Sequence, residues 1–191
     1  MNVKTKTLTQ LGVLAAMSVL LVYLIHFPIF PAAPFLEYDP ADVPILIGTF
    51  MFGPLGGMVL TAVVSVLQGV TVSSASGIIG IMMHFFATGS FVLVAGNIYK
   101  RKRTRGGAVI ALILGALTMT MTMVIWNLVF TPLFMGTPIE AVKAMLVPVI
   151  IPFNLIKTIS NAMITFVVYK SVSKVLGMEI LENKLADCKE S

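Results

Sequence analysis

Apolar residues in this chain neither alternate with polar ones nor mark one face of short helices. They gather into runs of about twenty or more, at about residues 7–25, 43–72, 77–99, 107–130 and 148–169, and the stretches between them hold most of the charge. A helix needs about 20 such residues to cross a bilayer. A spanning barrel would instead need many alternating segments of about ten residues. The one alternating stretch, Thr118-Met119-Thr120-Met121-Thr122-Met123, lies inside a longer apolar run and reads as helix.

The run at 43–72 is interrupted by Phe52-Gly53-Pro54-Leu55-Gly56-Gly57. As one crossing it is too long, and as two it is barely long enough. Charge decides between these. Lys4 and Lys6 precede the first run, and Lys100-Arg101-Lys102-Arg103-Thr104-Arg105 follows the run that ends near 99. Both groups belong on the cytoplasmic side, so an even number of crossings separates them. Residues 43–72 therefore supply two, the first short, with the Gly-Pro-Leu-Gly-Gly turn inside.

The expectation is an all-α integral membrane protein with six transmembrane helices, cytoplasmic N and C termini, and a long outer loop between helices 1 and 2. The membrane domain covers residues 1–178 and a polar cytoplasmic tail covers 179–191. Between the fifth and sixth spans, Pro132, Gly136, Pro138, Glu140 and Lys143 read as a loop. Lysines ahead of an apolar run also open signal peptides, but the run from Leu11 to Phe30 exceeds their usual 7 to 15 apolar residues and reads as a retained first helix.

Composition narrows the chemistry. Hydrophobic residues make up 58% of the chain and charged residues 11%, about half the usual charged share. The basic run has no recognition fold around it for nucleic acid and suits anionic lipid. Cys188 is the single cysteine, so neither a disulfide framework nor a cysteine metal site is available. There is no phosphate-binding loop, zinc-protease motif or nucleophile elbow. With only His26 and His84 as histidines, metal catalysis is poorly supported, and no metal is expected.

The polar residues inside the apolar runs then carry the argument. Lys157 is the one charge between Pro148 and Tyr169. A lysine at mid-span costs roughly 2.5 to 3.5 kcal/mol on insertion scales, so it faces a cavity, a ligand or an acidic partner. Asn154 precedes it by one helical turn. Gln68, His84 and Asn127 fall at similar depth in other runs, beneath the segment His26 to Asp42, whose Pro28, Pro31, Pro34 and Pro40 forbid a continuous helix. Glu37, Asp39 and Asp42 make that segment acidic, while Phe35, Leu36 and Tyr38 are apolar choices for a connector and point to a lid. The convergence suggests an outward-facing pocket for a planar, hydrogen-bonding solute, with Phe35, Trp126 and Phe153 flanking a ring. Asn161, one turn beyond Lys157, reads as helix packing, and for His84 a helix-to-helix hydrogen bond outweighs ligand contact.

From about Leu8 to Leu176 the sequence resembles the riboflavin-specific substrate-binding (S) components of energy-coupling factor (ECF) vitamin transporters. The residues that carry the resemblance are Phe35-Leu36-Glu37-Tyr38-Asp39-Pro40-Ala41-Asp42-Val43-Pro44, Phe52-Gly53-Pro54, Asn127, and Pro152-Phe153-Asn154-Leu155-Ile156-Lys157. The resemblance implies a non-enzymatic riboflavin-binding subunit in a bacterial cytoplasmic membrane, with riboflavin as transported substrate and no cofactor. It implies that Asn127, Asn154 and Lys157 address the isoalloxazine ring, with Gln68 and Leu36 to Asp39 near the ribityl chain. Glu37 stands where the family varies. It also implies partners: a transmembrane coupling protein, contacted by small residues on the first helix that here are Gly12 and Ala16, and two ATPase subunits. Three other readings remain open: an S component for another heterocyclic vitamin, a small intramembrane enzyme using Asp39, Asp42 and His84, and a structural assembly factor whose polar residues only pair helices.

Overall fold

A computed structural model describes residues 3–31 and 33–175. The polar tail at 179–191, with Cys188, lies outside the described residues. Among the described residues the regular structure is helical apart from one short ribbon. Helix α1 covers Val3–Leu24, α2 Asp42–Val70, α3 Gly77–Arg101, α4 Arg105–Met135, α5 Ile139–Met145 and α6 Ile151–Val175. Strands β1 (Phe27–Pro28) and β2 (Glu37–Tyr38) pair antiparallel, Phe27 opposite Tyr38. Among the described residues, five helical stretches are long and apolar enough to cross a membrane: Thr5–Leu24, Asp42–Val70, Ser74–Arg101, Arg105–Met135 and Ile139–Val172.

Helix α2 is not straight. Gly53 sits at φ 81°, ψ 180°, and Pro54 follows it. Along one helix, residues 48 and 60 would lie roughly 18 Å apart at 1.5 Å per residue. Instead a methyl on Gly48 would run into Leu60, and one on Gly57 into Thr49. The chain therefore reverses at Gly53, and residues 42–52 and 54–70 lie side by side. Glycines also set how closely α3 approaches this turn. A Cβ on Gly96 would fall 2.9 Å from the Pro54 Cα, so only a residue without a side chain fits there.

The expected loop after the fifth span is largely helix. Helix α4 runs through Pro132 to Met135 and stops at Gly136, which is left-handed at φ 63°. Residues 139–145 form α5, which enters α6 through a π-helical turn, Leu146–Ile150, that accommodates Pro148. Proline lacks the N–H an α-helix uses, and a wider turn is one way to carry it.

The larger core joins α1, both halves of α2, α3, α4 and the last turns of α6, with Leu14, Ile45, Leu60, Phe91 and Val92 fully buried. A second, smaller cluster, Ala33, Leu36, Val142, Ile150 and Phe153, packs the first loop onto α5 and the start of α6. Because the reversal needs a conformation available essentially to glycine alone, Gly53→Ala is expected to cost about 1 to 3 kcal/mol. Thermal unfolding in detergent tests this, and an unchanged midpoint would refute the assignment of strain to Gly53.

Candidate substrate pocket

The first loop does not float above the bundle. It is pulled into it. Asp39 and Asp42 are buried, at 3% and 0% exposure; of the loop's three acids only Glu37 stays half-exposed. Burial of a carboxylate is tolerated when each oxygen finds a donor. Asp39 meets that condition: Lys157 Nζ donates to Oδ2 at 2.7 Å and the Ala41 N–H to Oδ1 at 3.0 Å. Asp42 accepts from Thr88 Oγ1 at 2.7 Å and Asn161 Nδ2 at 3.1 Å.

Asn161 is the joint between loop and helix. Its amide nitrogen donates to the Asp39 carbonyl and to Asp42, and its oxygen accepts from the Tyr38 hydroxyl, each at 3.1 Å. It ties the loop to α6, a role sequence reading had assigned to general helix packing. From α1, Ser18 Oγ donates to the Ala41 carbonyl at 3.0 Å. Burial, then the neighbouring Asp39 charge, raises the Tyr38 pKa, so its hydroxyl stays a donor. For Asp39, burial alone would raise the pKa, but the Lys157 charge, the His84 ring and the hydrogen bonds from Lys157 and Ala41 outweigh it and lower it.

Beside this network lies a cavity of about 150 Å³, within about 910 Å³ of empty space counted to its open mouth. Of the residues expected at a ligand, Phe35, Leu36, Glu37, Asp39, Gln68, Phe153, Asn154 and Lys157 line it. His84 lines it too. Asn127 and Trp126 do not. Asn127 is fully buried, donating to the Met123 carbonyl at 2.8 Å and accepting from Thr131 at 2.9 Å. Trp126 stacks between Phe86 and Phe130, with ring centroids 4.5 and 5.0 Å away. Sequence reasoning missed Ser65, Met119 and Met123 on the wall; the Thr-Met alternation on α4 is the signal that could have suggested the last two.

The wall is rich in acceptors. Asn154 donates its amide nitrogen to the Ile150 carbonyl at 2.8 Å, which fixes the flip and leaves Oδ1 buried without a partner. Gln68 Oε1 and His84 Nε2 are likewise buried and unpartnered. Ser65 Oγ gives its proton to the Thr61 carbonyl at 2.6 Å, so in its 2.7 Å contact with His84 Nδ1 the ring nitrogen donates. His84 thus makes a helix-to-helix bond and still borders the cavity. Its Nε2 stands 3.8 Å from Asp42 Oδ1, too far for a hydrogen bond. At the rim, His26 Nε2 donates to Glu37 Oε2 at 2.6 Å across the β-ribbon. Among the described residues no group of three or more His, Cys, Asp or Glu is arranged to hold a metal.

Residues 6–169 match the profile of the family described as "ECF transporter, substrate-specific component". The chain belongs to that family. It is 33% identical to the riboflavin transporter FmnP of Bacillus subtilis (strain 168) over 165 residues, covering 82% of this chain and 86% of that one. It is 32% identical to the riboflavin transporter RibU of Staphylococcus aureus (strain TCH60) over 179 residues, covering 91% and 93%. In structure it is similar to the S component of a bacterial ECF transporter, with a TM-score of 0.77, 32% identity, and coverage of 91% of this chain and 99% of that one. The pocket of this S component is thus built where the first loop meets α2, α3, α4 and α6.

Two outcomes follow from the Asp39–Lys157 pair. Removing one partner of a buried pair strands the other charge, so Asp39→Asn is expected to destabilise the protein by about 3 to 5 kcal/mol. The acid response has a definite sign. The folded-state pKa of Asp39 lies below its unfolded value, so its contribution is complete above about pH 4 and fades as acidification carries the carboxyl through the lower folded value. Unfolding midpoints measured against pH should therefore fall below about pH 4, less steeply in Asp39→Asn. Equal slopes would refute the role given to the pair.

Proposed function

We propose that this chain is the riboflavin-binding membrane subunit of an ATP-driven vitamin uptake transporter. The observation that carries the reading is the pairing, three residues apart on α6, of an unpartnered buried acceptor, Asn154 Oδ1, with a buried cation, Lys157, both on the cavity wall. An isoalloxazine ring offers an imide edge of two carbonyls around one N–H, which a donor and an acceptor one turn apart can meet. The ribityl chain supplies hydroxyl donors for Gln68 Oε1 and His84 Nε2. Leu36, Phe153, Met119 and Met123 supply apolar surface for the ring. The similarity to two proteins named as riboflavin transporters supports the same substrate. Glu37 and Asp39 border the ribityl end in this reading, while Asn127 and Trp126 brace α4 behind the wall.

The chain lies in the bacterial cell membrane with six crossings in this reading. The return of α2 at Gly53 supports two passes within Asp42–Val70, and the basic 100–105 loop supports cytoplasmic termini. The family's description as the substrate-specific component of a transporter supports separate energising partners, a transmembrane coupling protein and two ATPases. Gly12 and Ala16 are both exposed on one face of α1, four residues apart, and among the described residues nothing beyond α1's own adjoining backbone lies within 4 Å of where a Gly12 side chain would go. Such a small-residue face admits a close partner helix.

Two experiments separate substrate from partner. Titration of the purified protein with riboflavin, followed by fluorescence quenching, is expected to give stoichiometric binding without ATP. Lys157→Met should weaken it by about 1.5 to 3 kcal/mol. No binding by folded wild-type protein would overturn the riboflavin reading, and a different vitamin that binds would replace it. Ala16→Trp should leave riboflavin binding intact and abolish uptake in cells that supply the coupling module. Undiminished uptake would remove α1 from the partner interface.

A further inference from the structure

A second concavity lies away from the pocket, between α4 and α6. It measures about 270 Å³, and its lining residues are all apolar. Its floor is Ala116 and Ala162, both buried, and its walls are Ile113 on α4 and Ile159, Met163 and Val167 on α6, all exposed. Two alanines facing one another under larger neighbours make the trough. Met119 and Met123 of α4, and Asn154 and Lys157 of α6, line the substrate pocket, so the trough occupies the half of the two antiparallel helices that leads away from it.

Each wall ends in a basic residue on the same helical stripe. On α4, Arg105 precedes Val109, Ile113 and Ala116 at intervals of four, four and three residues; on α6, Ile159, Met163 and Val167 are followed by Lys170 at four, four and three. That spacing keeps each set on one face at 3.6 residues per turn. Arg105 and Lys170 are both exposed. No acidic residue lies in the first turn of α4. The acidic residues of the described chain are Glu37, Asp39, Asp42 and Glu140, all toward the pocket end. Among the described residues, each wall runs on to a cation at the same end and no acid lies there, which matches an acyl chain carrying a phosphate.

We propose that the α4–α6 trough is a binding site for one anionic phospholipid, with an acyl chain along Ala116 and Ala162 and its phosphate between Arg105 and Lys170. A transmembrane helix of a partner protein would fill an apolar trough as well, but would not need the two cations at its mouth. The site is separate from the substrate pocket, and its occupancy is independent of riboflavin.

The test uses the full chain reconstituted in equimolar phosphatidylglycerol and phosphatidylcholine, extracted into mild detergent and weighed by native mass spectrometry. The expected result is one retained phosphatidylglycerol per chain, preferred over phosphatidylcholine on the order of tenfold, as two basic residues at a membrane surface provide. Arg105→Gln with Lys170→Gln should abolish the preference. Ala116→Phe with Ala162→Phe should fill the trough and abolish retention with both cations in place; circular dichroism establishes that each variant is folded. Equal retention of the two lipids in the wild type would overturn the proposal. So would phosphatidylglycerol retained undiminished by the Phe variant, which would mean diffuse attraction to the basic end. Retention of neither lipid would assign the trough to a protein helix instead.

Discussion

A charge inside a bilayer must be matched, and the Lys157–Asp39 pair is where this chain meets that requirement. Lys157 stands on α6 and Asp39 on the first loop, so neutralising the lysine brings the loop into the bundle. Once Asp39 is buried, its remaining oxygen, its carbonyl and the nearby Asp42 all need donors. Ala41, Asn161 and Thr88 provide them. One buried cation thus propagates into a network that fixes the loop, the start of α2, the middle of α3 and the face of α6 relative to one another.

That network explains why the pocket has a floor. Helix α2 begins at Asp42, already within the bundle, and its first half reaches the turn at Gly53 in about eleven residues, roughly 16 Å by helical rise. A helix starting at the membrane surface would need more length. The shortened segment leaves room above it, and the loop with Leu36, Glu37 and Asp39 forms the side of that room. Close glycine contacts, Gly48 to Leu60, Gly57 to Thr49 and Gly96 to Pro54, let three helical segments converge below the polar network. Acceptors that the network does not use, Asn154 Oδ1, Gln68 Oε1 and His84 Nε2, are the ones left at the cavity. Network-bound and cavity-facing polar groups are neighbours here, so single substitutions in this region act on the fold and on the cavity together.

Much of this was legible in the chain. Long apolar runs, the Gly53-Pro54 interruption and the lone lysine in the last run pointed to a membrane bundle with a polar centre, and the signal was strong because each feature is costly in lipid. Phe153, Asn154 and Lys157 fall within two turns of one helix, and all three line the cavity. Depth along a helix does not fix which way a side chain faces: on α4, Asn127 enters local hydrogen bonds and Trp126 a ring stack. The stretch after the fifth span looked like a loop because prolines punctuate it, and a π-helical turn carried Pro148 within a continuous helix instead.

The sequence by itself determined the solvent of the protein, the number of long apolar segments and the existence of a charge that needed company, because those depend on transfer free energies that add along the chain. Which acid would neutralise Lys157 was decided only by the tertiary structure. Glu37, Asp39 and Asp42 are near neighbours in the loop and chemically alike. Their different fates, at the rim with His26, on Lys157, and between Thr88 and Asn161, follow from how the β-ribbon and the start of α2 orient three successive parts of the backbone. Orientation of that kind is a property of packed elements and has no signature in local composition.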